Sequence, residues 1–175
     1  MSNDMLDEEM NMMYDEGTKA KTLDSSTFQK AIKNIPFRTP VTLAPQQTVS
    51  EALAEMQRKR IGCVLVVEHG KMAGIFTERD VLLKVANNPG AETKQLRDLM
   101  TTKVSGFQKE DSIAFVLNAM HVGGYRHVPV VDEQNRPLAV ISVKDIISFI
   151  LEHFSEDILN LPPEPIRKTD QREGA

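Results

Sequence analysis

Apolar positions along this chain fall into two copies of one pattern. In the first copy, Val49, Ala52, Leu53 and Met56 recur at the i, i+3, i+4, i+7 spacing that one helix face requires. Ile113, Val116, Leu117 and Met120 repeat that spacing 64 residues later. Thr48 and Ser112 stand immediately before these runs, where a hydroxyl can cap a helix by accepting from its unpaired amides. Next come the short β-branched runs 63–67 and 127–131, which read as strands buried on both faces. Polar turns at 68–71 and 132–136 lead into a second apolar run, and that run stops at Thr77 in one copy and Ser142 in the other. An aspartate follows three residues on, Asp80 or Asp145, and then apolar residues at helical spacing: Val81, Leu82 and Val85 against Ile146, Ile147 and Ile150. The offset grows to 65 because the second turn is one residue longer.

Short opening strands are predicted at 40–43 and 103–106, so each unit reads β-α-β-β-α. Pro40 and Pro45 restrict the first of these to an edge or a short extended piece. A single unit of this size buries too little surface to be stable alone. Two packed about a pseudo-twofold axis supply each other's missing burial. The fold class expected is α+β, with tandem β-α-β-β-α repeats at 36–87 and at 91–154, the latter including a leading helix. Short leading helices are predicted at 25–34 and 91–100, and Asn87-Asn88-Pro89-Gly90 between the units is a helix stop and turn. Residues 1–24 form an acidic, Met-rich extension suited to a solvated tail or to adaptable contacts with a partner. Residues 162–175, opened by Pro162 and Pro163, have nothing to pack a core and read as disordered.

Composition narrows the function. The chain has 175 residues, 41% hydrophobic and 26% charged, with a formal net charge of −4. That balance argues against a nucleic-acid partner, which needs a concentrated basic face. Cys63 is the single cysteine and lies inside an apolar run, so a small buried hydrophobe in a reducing compartment is expected. No apolar stretch approaches the roughly 20 residues that span a bilayer, and the acidic start lacks the features of a secretion signal. A cytoplasmic protein that is not an integral membrane protein is the expectation. His69, His121, His127 and His153 sit at no metal-ligand spacing, and no nucleophile elbow or glycine-rich phosphate loop occurs. No metal site and no catalytic residues are predicted.

The doubled hydroxyl-x-x-Asp, together with 62–68 and 124–132, resembles the cystathionine-β-synthase (CBS) domain family over roughly residues 36–154. The resemblance implies a CBS pair, or Bateman module, that dimerises through helical faces and holds adenosine-containing ligands in two clefts between its repeats. AMP, ADP or ATP come first among these, before S-adenosylmethionine or NAD(H). Such modules regulate, in this case a separate enzyme or transporter, and are not enzymes themselves. The alternative is a purely structural homodimerisation module with empty clefts.

Locally, Thr77 with Asp80 and Ser142 with Asp145 read as capping boxes at helix starts. By resemblance the same four residues contact the ribose. Arg79, Arg126, His127 and Lys144 are the implied phosphate ligands; the alternatives are an Arg79 pair with Glu78 or Asp132 and a solvated Arg126. The family arrangement sets Arg126, His127 and Lys144 around Asp80, and Gly62, Cys63 and Arg79 around Asp145. On that arrangement the Asp80 cleft takes the more phosphorylated ligand. Val41, Ile61 and Val64 line one adenine slot and Val104, Tyr125 and Val128 the other, although core packing also accounts for most of these.

Overall fold

A computed structural model describes residues 25–153, so the acidic extension 1–24 and the tail 162–175 lie outside the described residues. In chain order the elements are α1 (Ser25–Gln29), β1 (Thr42–Leu43), α2 (Val49–Lys59), β2 (Cys63–Glu68), β3 (Lys71–Thr77) and α3 (Glu78–Asp80). They continue with α4 (Leu96–Leu99), α5 (Ile113–Gly123), β4 (His127–Val131), β5 (Pro137–Ser142) and α6 (Val143–His153). Single 3-10 turns occupy Ile32–Asn34 and Ala91–Thr93.

The strand and helix patterns fold as their periodicities require. In the first unit β1 runs parallel to β2, with Thr42 opposite Leu65, and β2 runs antiparallel to β3, with Cys63 opposite Thr77. The β2–β3 hairpin turns through His69 and Gly70, both at positive φ, where glycine carries no Cβ penalty. In the second unit β4 pairs antiparallel with β5, His127 opposite Ser142. Helix α2 begins with a reciprocal capping box between Thr48 and Glu51, and Ser112 caps α5 through the Phe115 amide. The apolar faces of these two helices, Val49, Ala52 and Met56 or Ile113, Val116 and Met120, are buried against their own sheets.

The opening strand of the second unit departs from the sequence pattern. Instead of a strand at 103–106, a single parallel bridge joins Phe107 to Val130. Phe107 is buried and supplies the apolar anchor, while Val104 turns toward Cys63, Leu65 and Ile75 between the units. Gly106 passes so close to Val131 that an added Cβ would stand 2.6 Å from Cγ2.

The leading segments also differ from the single helices expected. Each is broken by a bridge to the opposite unit, Ala31 to Ser112 and Gln95 to Thr48. Ile32 and Ile35 thereby complete the second unit's core, and Ala91 and Leu96 complete the first unit's. Two further bridges obey the same exchange, Arg38 with Val140 and Thr101 with Ile75. Each unit is therefore closed by chain that precedes the other. Residues 38 and 101, brought across in this way, become walls of the clefts.

The closing helices are unequal. Helix α6 runs 11 residues, whereas α3 gives way after Asp80 to a π-helical turn, Val81–Val85, in which the Ala86 amide donates to the Val81 carbonyl. Such turns are rare and concentrate at functional positions.

Candidate functional site

Each aspartate stands at the first turn of a helix that leaves its sheet at the seam between the units. The Thr77 amide (2.9 Å) and hydroxyl (2.8 Å) donate to Oδ2 of Asp80, and the Asp80 amide returns a bond to the Thr77 hydroxyl oxygen. Ser142 and Asp145 repeat this, with amide and hydroxyl at 2.8 and 2.6 Å. The capping reading is correct in both units. It consumes one oxygen of each carboxylate and leaves Oδ1 to be decided by the surroundings.

Around Asp80, Oδ1 is fully engaged. Lys84 Nζ lies 2.6 Å away and the Thr101 hydroxyl donates at 2.9 Å. A carboxylate offers about four lone-pair directions, and here each has a donor. The Asp80 side chain is 7% exposed. Burial by itself would raise its pKa, but the bonds from Lys84, Thr77 and Thr101 outweigh it and hold the carboxyl below its ordinary 3.8. The surrounding cleft, about 280 Å³, is lined by Ile75, Val104, Tyr125 and Val128 with Arg79, Lys103 and Arg126. The Tyr125 ring lies over Gly123, where a Cβ would overlap it.

Around Asp145, Oδ1 accepts no hydrogen bond from the described residues. Its nearest cation is Arg38, at 3.7 Å, whose side chain is 76% exposed. The cleft is larger, about 380 Å³, and more basic, with Arg38, Arg60, Arg126 and Lys144 on its walls and Val41 and Ile61 as its apolar part. A ligand carrying both a diol and phosphates finds here an unoccupied carboxylate oxygen and converging cations.

Several expected placements are corrected. Lys144 lines the cleft of its neighbour Asp145, and Arg79 that of Asp80, the reverse of the cross-cleft arrangement. A side chain next to the capping aspartate projects from the same helix start, so it stays with its own carboxylate. The cation-rich cleft is therefore that of Asp145. Arg126 and His127 lie on the wall shared by both clefts, with Gly62 and Glu78. Gly62 lies close against this wall: an added Cβ would stand 2.8 Å from His127 Cε1, so the ring would have to shift. Val64 lines neither cleft; it is fully buried in the first unit's core. Val104, Tyr125 and Val128 do converge in one slot, and Val41 and Ile61 share the other. Asp132 is bound by Arg136 at 2.6 Å, not by Arg79.

Burial, with Arg126 adding to it, pushes the His127 imidazole below its ordinary 6.5 despite Glu78 and Asp145. Its contribution near neutral pH is that of a neutral hydrogen-bonding ring. Burial also pushes the Cys63 thiol up to about 12, which makes it inert as a nucleophile. Among the described residues no group of three or more His, Cys, Asp or Glu could hold a metal ion. No helix there is long and apolar enough to cross a membrane.

Four positions that contact the two aspartates or line their clefts escaped the sequence pattern: Lys84, Thr101, Arg38 and Arg60. For Lys84 a signal existed, because Phe149 occupies the corresponding place in the second unit. Thr101 and Arg38 arrive by the exchange of leading segments, which no local pattern encodes.

A family model described as CBS domain matches residues 32–87 and 96–152. An uncharacterised 17.7 kDa protein of Acidianus ambivalens is 28% identical over 109 residues, 62% of this chain and 65% of its own length. The CBS domain-containing protein CBSCBSPB3 of Arabidopsis thaliana is 30% identical over 129 residues, 72% of this chain and 23% of that protein. The chain thus spans less than two thirds of either relative. Among solved structures, the CBS domain pair of protein MJ0100, in complex with 5′-methylthioadenosine and S-adenosyl-L-methionine, superposes with a TM-score of 0.64 at 25% identity, covering 70% of this chain and 97% of that one.

Proposed function

The chain belongs to the CBS domain family as a tandem pair, and from that premise we propose that it is a regulatory module binding an adenosine-containing ligand in the cleft of Asp145. CBS pairs are regulatory ligand-binding modules, and a solved pair of similar structure carries two adenosine-type ligands. The observation that carries the reading is Oδ1 of Asp145, which accepts no hydrogen bond from a described residue, held in place by Ser142 in a cleft that Arg38, Arg60, Arg126 and Lys144 also line.

In this arrangement the ribose diol donates to Asp145 beside the Ser142 hydroxyl, and Val41 and Ile61 shelter the base. Lys144, Arg126 and His127 face the phosphates, which favours AMP, ADP or ATP over S-adenosylmethionine. The Asp80 cleft, with Thr77, Arg79, Val104, Tyr125 and Val128, is the second candidate cavity. A ligand in either cleft touches both units, since Arg126 and His127 of the second and Gly62 and Glu78 of the first share the wall. Binding therefore favours one relative orientation of the units, which is how occupancy reaches a regulated enzyme or transporter.

Exposed Leu82, Leu83, Ile147 and Leu151 on the closing helices favour a homodimer, checked by sedimentation over a concentration series. The ligand is tested by thermal shift with AMP, ADP, ATP, S-adenosylmethionine and NADH. A ligand at about 100 times its Kd adds about 2.7 kcal/mol, roughly 5–10 °C at this size. No shift with any of them, in a protein that remains dimeric, rejects the sensing reading in favour of a purely structural module.

A further inference from the structure

Lys84 sits where the second unit carries Phe149, and what it does there separates the two clefts. Its ammonium lies 2.6 Å from Oδ1 of Asp80 and donates again to the Leu99 carbonyl at 2.7 Å. Thr101, the other donor to that oxygen, is pinned to β3 by reciprocal backbone bonds with Ile75, at 2.8 and 2.9 Å. A ribose approaching Asp80 meets a carboxylate without a free lone pair. It must first displace a lysine that is itself anchored to a backbone carbonyl, and that lysine has no other carboxylate partner among the described residues.

We propose that Lys84, seated by Thr101 and Leu99, is an internal occupant of the Asp80 site and limits this chain to one ribose-bearing ligand, held at Asp145. The inference rests on the ligand-sensing reading above and adds the stoichiometry to it. Among the described residues the Asp145 cleft has no equivalent lock: the position of Lys84 is taken by the buried Phe149, and that of Thr101 by Arg38, which reaches only to 3.7 Å. The lock belongs to one repeat alone.

Isothermal titration of the full chain with AMP and, separately, with ATP tests this. The expected result is one equivalent per chain in the wild type, none in Asp145→Ala, and two in Lys84→Met. In the double variant Asp145→Ala/Lys84→Met, one equivalent returns, now in the unlocked cleft. Two equivalents in the wild type, or one retained in Asp145→Ala, overturn the lock while leaving ligand sensing intact. So does a folded Lys84→Met that stays at one equivalent. Should Lys84→Met not fold, the wild type and Asp145→Ala decide between these outcomes without it. No heat and no thermal shift in the wild type with any adenosine ligand overturns the sensing reading, and this inference with it.

Discussion

Asp80 and Asp145 hold the same place in their repeats and receive the same amide and hydroxyl bonds from Thr77 and Ser142, yet their free oxygens meet opposite surroundings. The first faces Lys84 and Thr101; the second faces open cleft and a distant Arg38. A helix cap is a local structure, built by residues three apart, so it survives duplication unchanged. The remaining valence is filled by residues four positions along the helix and by chain crossing from the other unit. Divergence at those positions saturates one carboxylate and leaves the other open while the fold is retained. The lesson is that a repeated motif fixes where the carboxylates stand, and its neighbours decide whether their oxygens are free.

Removing each carboxylate gives the widest separation. Asp145→Ala should abolish AMP or ATP binding as calorimetry detects it, a loss of about 100-fold or more, since charge-assisted hydrogen bonds contribute about 1.5–3 kcal/mol each. Its cost to folding should be that of a lost cap, about 1 kcal/mol. If ligand affinity is unchanged in this variant, the clefts are not distinguished as described. Asp80→Ala should instead cost about 2–3 kcal/mol in urea unfolding, because a cap is lost and a half-buried Lys84 is left without its carboxylate. Equal destabilisation by the two substitutions would break the comparison from the folding side.

Smaller effects sharpen it. Lys144→Ala should weaken ATP about tenfold and adenosine hardly at all, as a cation facing phosphates only. Equal losses for both ligands would remove Lys144 from the phosphate end. Acid titration then probes Asp80 by a different property. The Asp80 pKa is lowered on folding, so its contribution to stability is complete above its ordinary 3.8 and is lost as pH falls through the lower folded value. An Asp80→Asn variant should lose that acid slope in pH-dependent urea unfolding. His127 acts in the same direction at higher pH. Its imidazole is held below 6.5, so stability is complete above that value and declines as pH falls through the lowered one. His127→Gln should flatten the decline, and an unchanged profile would mean the ring is not desolvated in the shared wall.

The sequence by itself determined the tandem repeat, the strands at 63–67 and 127–131, the helix faces begun by Val49 and Ile113, and both capping boxes. These depend on residues within a turn or a strand of each other, where periodicity and hydroxyl chemistry act directly. Only the tertiary structure decided which leading segment closes which unit, that Phe107 and not residues 103–106 joins the second sheet, that Val64 belongs to the core, and that Lys144 and Arg79 stay with their own aspartates. Lys84 stands between the two cases. Its mismatch with Phe149 was visible in the repeat, but its meaning was not, because Thr101 and the Leu99 carbonyl that hold it come from beyond the helix. A contact made by distant chain has no periodicity to announce it. Whether a carboxylate is free for a ligand is a property of everything that packs around it.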